Sequence, residues 1–156
     1  MNDWIVRRGG AEDADAIVGT FLRSYARSSV GMRAGAHRSG RDRMADGDAF
    51  WEDHRPIGTA LLATDLTVLA DAQDPQPGGG VWGWVASSGS TIHYVLVKRS
   101  LSDAGLGGEA LRAMLGAALD EPRAYTLQQT CLHEMKATPK RWYPDFTWWR
   151  IHASLV

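Results

Sequence analysis

The segment Ser90–Leu115 constrains the fold of this chain more than any other part of its sequence. Its first part, Thr91–Val97, is rich in β-branched and aromatic residues and is long enough for one strand buried on both faces. After a polar stretch, a glycine-rich run opens a segment whose apolar residues recur at helical spacing: Leu106, Leu111, Met114 and Leu115. The segment therefore predicts a strand, a glycine turn and a helix, in that order.

A glycine turn at the start of a helix is suited to binding phosphate. The first N–H groups of the helix have no acceptor within it, and the positive end of the helix dipole attracts anions. Glycines also let a ligand approach the backbone closely. The run Gly105–Gly108 lacks the third glycine of a GxGxxG motif, and the lysine of a P-loop is missing. The pattern thus predicts a diphosphate site of another kind, with a plain helix cap as the alternative.

The same segment resembles the acetyl-CoA motif of the GNAT N-acetyltransferase superfamily, a hydrophobic strand followed by Arg/Gln-x-x-Gly-x-Gly/Ala and a helix. Here the motif reads Ser102-Asp103-Ala104-Gly105-Leu106-Gly107, so a serine replaces the opening Arg or Gln and Asp103 adds a negative charge. The resemblance implies acetyl-CoA as cosubstrate, with Lys98 and Arg99 compensating that charge. The backbone of Leu96 and Val97 would form hydrogen bonds with the pantetheine amides. The implied cofactor-binding residues are Leu96, Val97, Lys98, Ser102, Ala104, Gly105, Leu106, Gly107 and Gly108.

The part of the chain before this segment predicts two helices and three strands. The first helix begins after Gly9-Gly10, carries acidic residues in its first turn, and has an inward face of Ile17, Val18, Phe21, Leu22 and Tyr25. The second runs from Asp48 to about Ala63, with Pro56 bending or interrupting it. The strands are Trp4–Arg8, Leu66–Asp71 and Val81–Ala86, and Trp82 and Trp84 are expected on one face of the last.

The part after the segment predicts two further strands, Tyr125–Cys131 and Trp148–Val156, around a short helix or turn at Lys136–Tyr143 that Pro144 ends. Three consecutive strands with short turns predict an antiparallel meander. The whole order, β-α-α-β-β-β-α-β-α-β, resembles that of GNAT enzymes. The predicted fold class is therefore α/β (α+β), a single domain with a mixed, mostly antiparallel sheet flanked by helices.

Two residues are predicted to carry catalysis. The run Trp142-Tyr143-Pro144-Asp145-Phe146 resembles a shortened form of the late GNAT segment whose tyrosine protonates the departing CoA thiolate, which makes Tyr143 the general acid. His93 lies mid-strand where family members place a base, and its near-neutral pKa suits deprotonation of an ammonium through water. A packing tyrosine and a core histidine are the respective alternatives. His133 and Glu134 are competing bases.

The stretch from Arg27 to Arg43 contains five arginines among Gly and Ser and has no apolar period, which predicts a basic loop. In the resembled fold this region helps to form the acceptor site. Arg38, Arg41 and Arg43 are therefore predicted to bind an anionic acceptor, nucleic acid included. Trp51 is predicted to stack on a base or ring of the acceptor, with core packing as its alternative. A solvated loop is the alternative.

The composition of the chain narrows the classes of protein to which it can belong. The net charge of −1 gives no global field for a polyanion. The single cysteine, Cys131, excludes an internal disulfide, and the spacing of His54, His133 and His152 does not fit metal ligands. No apolar run approaches membrane-spanning length, so no membrane association and a reducing cytoplasm are expected. A monomer and a homodimer both remain open.

The functional prediction is an N-acetyltransferase that moves an acetyl group from acetyl-CoA to a primary amine by direct attack. Short GNAT-like chains of this style also resemble phage-encoded members, among them relatives of Mom-type DNA-modifying enzymes. A DNA- or nucleobase-modifying enzyme is therefore one alternative. The other is a non-catalytic binding module that has lost cofactor affinity through Ser102 and Asp103.

Overall fold

A computed structural model of the chain describes residues 3–27, 45–89, 91–116, 124–125 and 143–144. These residues form six strands, four α-helices and one short 3₁₀ helix at Ala11–Asp13. In chain order, the elements are β1 (Trp4–Arg8), α1 (Ala14–Arg27), α2 (Ala45–Leu61), β2 (Asp65–Asp71), β3 (Val81–Ser88), β4 (Thr91–Val97), α3 (Arg99–Asp103), α4 (Gly107–Leu115), β5 (Ala124–Tyr125) and β6 (Tyr143–Pro144).

The six strands make one sheet in which spatial order equals chain order. Strands β1 to β4 are antiparallel neighbours, whereas β4 pairs with β5, and β5 with β6, in parallel. An antiparallel pair needs only a short turn, but a parallel pair needs a crossover, and α3 and α4 lie within the crossover from β4 to β5. The predicted α+β class, with a mostly antiparallel sheet and a meander before the glycine turn, is confirmed.

Helices cover both faces of the sheet. On one face, α1 and α2 pack through Ile17, Phe21, Ile57 and Leu61 on a sheet surface centred on Trp84. On the other, α3 and α4 contribute Leu101, Ala110 and Met114 to a second cluster with Leu69, Val85, Ile92 and Val95. Residues of β4 enter both clusters, as expected for a strand buried on both faces.

Several predicted boundaries differ from the structure. Strand β3 continues to Ser88, and α2 begins at Ala45 and ends at Leu61, with Pro56 inside the helix. The polar stretch before Gly105 forms the short helix α3, which the apolar pattern did not predict. Tyr143–Pro144 is a strand, so the helix or turn predicted to end there is wrong at Tyr143. Apart from Tyr125, the predicted strands Tyr125–Cys131 and Trp148–Val156 lie outside the described residues.

Trp82 and Trp84 lie on opposite faces of the sheet, contrary to the prediction. The register between β2 and β3 shifts at this point, with Leu69 opposite Gly83 and Ala70 opposite Val81. Trp82 is therefore an extra residue in β3, and such a bulge breaks the two-residue alternation of side chains. As a result, Trp84 belongs to the cluster under α1, whereas Trp82 packs against the cluster under α4.

A buried ion pair joins β1 to the start of α1 and to the β2–β3 loop. The guanidinium of Arg7 donates to both carboxylate oxygens of Asp13, at 2.8 and 2.7 Å. The backbone N–H groups of Gly10 and Gly78 also donate to this carboxylate, each at 3.0 Å. The sequence indicated only that acidic residues occupy the first turn of this helix. Its hydrogen bond from Arg7, aided by the two backbone donors, lowers its pKa from 3.8 to about 2.

Asp13→Asn should destabilise the fold by about 3 kcal/mol, because it leaves the Arg7 guanidinium without its counter-charge. The folded-state pKa of Asp13 is lowered, so its contribution is present above its ordinary pKa of 3.8 and is lost as the pH falls toward about 2. Urea unfolding at pH 7 and between pH 4 and pH 2 measures both effects. The exposed Asp15→Asn is the matched control. Equal stabilities of the two variants at pH 7 would contradict a structural role for the pair.

Candidate functional site

The glycine turn after β4 ends one helix and begins another. Gly105 has φ +78°, in the left-handed region where glycine is favoured. Its N–H donates to the Ser102 carbonyl at 3.0 Å, and the N–H of Leu106 donates to the Leu101 carbonyl at 2.8 Å. These two bonds form a Schellman motif, completed by apolar contact of Leu106 with the cluster that contains Leu101. The conformation of Gly105 is thus explained by the end of α3.

Helix α4 begins directly after this turn, with Leu106 as its N-cap. The first bond within the helix runs from the Ala110 N–H to the Leu106 carbonyl at 3.0 Å. Among the described residues, the N–H groups of Gly107 and Gly108 have no acceptor. A Cβ at Gly107 would lie 3.1 Å from Ser102 Oγ, whereas one at Gly108 would meet nothing within 4 Å. The two amides are therefore donors at a helix start, where an oxyanion is favoured, and Gly108 is exposed.

The charges around the turn are partly paired. Asp103 forms an i,i+4 ion pair with Arg99 on α3, 3.4 Å from Nε to Oδ2, and both side chains are largely exposed. The sequence shows this spacing, but Asp103 was interpreted only as an opposing charge. Lys98 is exposed at the end of β4, with Nζ 5.9 Å from the centre of the Trp82 ring. Arg99 therefore offsets the charge of Asp103, and the Lys98 ammonium lies over the Trp82 ring.

The two predicted pantetheine contacts at the end of β4 differ in direction. The Lys98 N–H donates to the Trp82 carbonyl at 2.8 Å, which makes these residues a hydrogen-bonded pair across β3 and β4. Along an antiparallel ladder, hydrogen-bonded pairs alternate with pairs whose backbone groups point away from each other. The N–H and C=O of Leu96 therefore face β3, and those of Val97 face the opposite edge, where β5 pairs with the start of β4. Of the two predicted pantetheine contacts, only Val97 directs its backbone groups to the β5 edge of β4.

His93 lies at a second register shift, between β3 and β4. Ala86 lies opposite Tyr94 and Ser87 opposite Ile92, so His93 is an extra residue in β4. Its side chain is 4% exposed. Its Nε2 lies 2.9 Å from the Oγ of Ser88, an exposed residue at the end of β3. The predicted base is thus a buried imidazole that is hydrogen-bonded to the hydroxyl of an exposed serine. Sequence analysis missed Ser88, because the bulge that brings the pair together has no clear signal in sequence.

The backbone of Tyr143 lies on the same sheet row as this pair. Ser88 is opposite Thr91, Thr91 is opposite Ala124, and Ala124 is opposite Tyr143. Three strand spacings give about 14 Å between the Cα atoms at the two ends of this Ser88–Tyr143 row. The glycine turn follows the other end of β4, and four residues, about 13 Å, separate His93 from Val97. His93 therefore lies toward the start of β4, and the backbone of Tyr143 lies at the same end of the sheet, two strands away. The predicted phosphate site follows the other end of β4.

Other predicted site residues are not described. Arg38, Arg41 and Arg43 lie outside the described residues, as do the competing bases His133 and Glu134. Trp51 lies in α2, and only its backbone is described. Within the described residues, no group of three His, Cys, Asp or Glu side chains could hold a metal ion. None of the described helices is both long and apolar enough to cross a membrane.

Comparisons of the chain with known proteins found one weak structural match. No family model and no curated protein matches the chain. Among solved structures, the chain is similar to the solution structure of apo-form YjaB from Escherichia coli, with 16% sequence identity and a TM-score of 0.43. The match covers 75% of this chain and 67% of that chain. This likeness is too weak to support an argument about fold or function.

Proposed function

We propose that this protein is an N-acetyltransferase of the GNAT type, which transfers an acetyl group from acetyl-CoA to a primary amine. The observation that carries the proposal is the start of α4. The amides of Gly107 and Gly108 lie at the N-terminus of α4 and have no acceptor among the described residues, and helix α3 and the glycine turn separate them from β4. A diphosphate would be favoured at such a helix start. The Arg99–Asp103 ion pair supports it, because Arg99 offsets the negative charge that the sequence places beside the turn.

The acyl-pantetheine arm would then run along the outer edge of β4, from Val97 back toward His93. An extended arm on a sheet edge satisfies its amides with backbone groups, in the manner of an added strand. This orientation would bring the thioester from the diphosphate site to the Ser88–Tyr143 row. Only the start of this edge is paired with β5 in the described part of the chain, through Thr91 and Ile92.

The proposed reaction is a direct acyl transfer. The neutral amine attacks the thioester carbonyl carbon, a C–N bond forms, and the C–S bond breaks to release the CoA thiolate. The amine must lose one proton, for which His93 is the proposed base, and the thiolate must gain one, for which Tyr143 is the proposed acid. His93 lies toward the start of β4, and Tyr143 lies two strands away at the same end of the sheet.

Two assays test the proposal together. Calorimetric titration with acetyl-CoA should give saturable binding. Release of free CoA thiol should then be measured with primary amines, lysine peptides and single-stranded DNA as acceptors. Thiol release that depends on an amine acceptor supports the proposal. Binding without release for any acceptor would instead indicate a binding module, and absence of binding would reject both. Release with DNA alone would point to the nucleobase-modifying alternative.

A further inference from the structure

We propose that Ser88 is the proton relay between the acceptor amine and the buried base His93. The inference rests on the proposed acetyl transfer and assigns a role to a residue that neither motif contains. The two side chains meet because of the β4 bulge, which places the imidazole Nε2 2.9 Å from Ser88 Oγ. This distance is within hydrogen-bond reach, which proton transfer between the two groups requires.

A relay is needed because the side chain of His93 is buried. His93 is 4% exposed, so an acceptor amine cannot contact its ring without displacing the surrounding side chains. Ser88 is exposed, and its hydroxyl bonds the imidazole. A hydroxyl can accept one proton while it donates another. Ser88 therefore links the buried base to a solvent-facing position on the row that also contains Tyr143.

The relay conserves protons at each step. As the amine nitrogen attacks the thioester, its N–H bond breaks and a new O–H bond forms at Ser88 Oγ. The original hydroxyl proton of Ser88 moves to His93 Nε2, which leaves a neutral serine and an imidazolium. After product release, the same path in reverse returns the proton to solvent. This sequence requires Nε2 to accept from Ser88 in the resting protein, so the neutral ring must carry its hydrogen on Nδ1.

The mechanism predicts a specific effect of removing the hydroxyl. Ser88→Ala should lower the acetyl transfer rate by about 10²–10⁴-fold while acetyl-CoA affinity stays unchanged. It should also remove the limb of the pH–rate profile that reports deprotonation of His93. Ser88→Thr keeps a hydroxyl and should restore most of the rate. Ser87→Ala, one residue earlier in β3, is the matched control and should behave as wild type.

A readout independent of turnover is the tautomer of His93, observed by ¹⁵N NMR of the imidazole. We expect the Nδ1–H form in the wild-type protein, with an Nε2 signal that shifts in Ser88→Ala and does not shift in Ser87→Ala. An Nε2–H tautomer in the wild type would overturn the relay, because His93 would then be the donor. If the wild type turns over acetyl-CoA and Ser88→Ala has the same rate and pH profile, the relay is wrong, but the proposed acetyl transfer stands. Failure of the wild type to bind or use acetyl-CoA would overturn the proposed function and the relay with it.

Discussion

Gly107→Glu should abolish measurable binding of acetyl-CoA while leaving the protein folded. A side chain at this position would stand in the first turn of α4 beside Ser102, and its carboxylate would repel the diphosphate. Loss of one backbone hydrogen bond to a charged phosphate costs about 1.5–3 kcal/mol, and the added charge raises this. The dissociation constant should therefore increase at least about 10–100-fold. Calorimetric titration of both proteins measures the change.

The fold should tolerate this substitution. The new Cβ would lie 3.1 Å from Ser102 Oγ, and the exposed Ser102 side chain can rotate away. A carboxylate in the first turn of a helix also interacts favourably with the helix dipole. Ala113→Glu is the matched control, since it adds the same charge to an exposed position further along α4. If Gly107→Glu binds acetyl-CoA as tightly as Ala113→Glu, the diphosphate site is not at the start of α4.

Tyr143→Phe should lower turnover by about 10²–10⁴-fold with little change in acetyl-CoA affinity. The substitution keeps the ring and removes only the hydroxyl that would protonate the thiolate. Because the lost interaction is made in the transition state, the rate should fall while cofactor binding is retained. Steady-state kinetics of thiol release, combined with calorimetric titration, separates the two effects.

The neighbouring strand offers a control for this variant. Tyr125 lies in β5 opposite Pro144, so Tyr125→Phe removes a hydroxyl from the adjacent strand, one residue out of register with Tyr143. It should retain the wild-type rate. Near-normal turnover of Tyr143→Phe would show that Tyr143 is a packing residue and that the thiolate takes its proton from another donor.

Much of the fold was predictable because its elements have strong local patterns. Strands β1 and β4 have the predicted bounds, and Ile17, Val18, Phe21 and Leu22 are buried on α1 as predicted. The side chain of Tyr25, the fifth residue of that predicted face, lies outside the described part of the structure. Such patterns depend on burial repeating every two or every 3.6 residues. They fail at Trp82, because one extra residue in β3 reverses the faces after it, and no residue type marks that bulge.

The candidate site was predictable only in part, for related reasons. Glycine spacing located the turn, but the pattern could not distinguish the end of α3 from a phosphate-binding loop at Gly105, since both need a left-handed residue. The Arg7–Asp13 pair and the Ser88–His93 pair depend on contacts between separate elements. Sequence identifies such residues as polar, and only the sheet register brings the partners together.

The most direct test of the diphosphate site is a ¹H–¹⁵N NMR titration of glycine-labelled protein with acetyl-CoA. The chain has 17 glycines, of which Gly107 and Gly108 would bond the diphosphate while Gly19 and Gly58 lie on α1 and α2. We expect saturable shifts of the Gly107 and Gly108 amide signals, and unchanged signals from Gly19 and Gly58. Saturable acetyl-CoA binding with unmoved Gly107 and Gly108 signals, or no shift at any glycine, would contradict the proposed site.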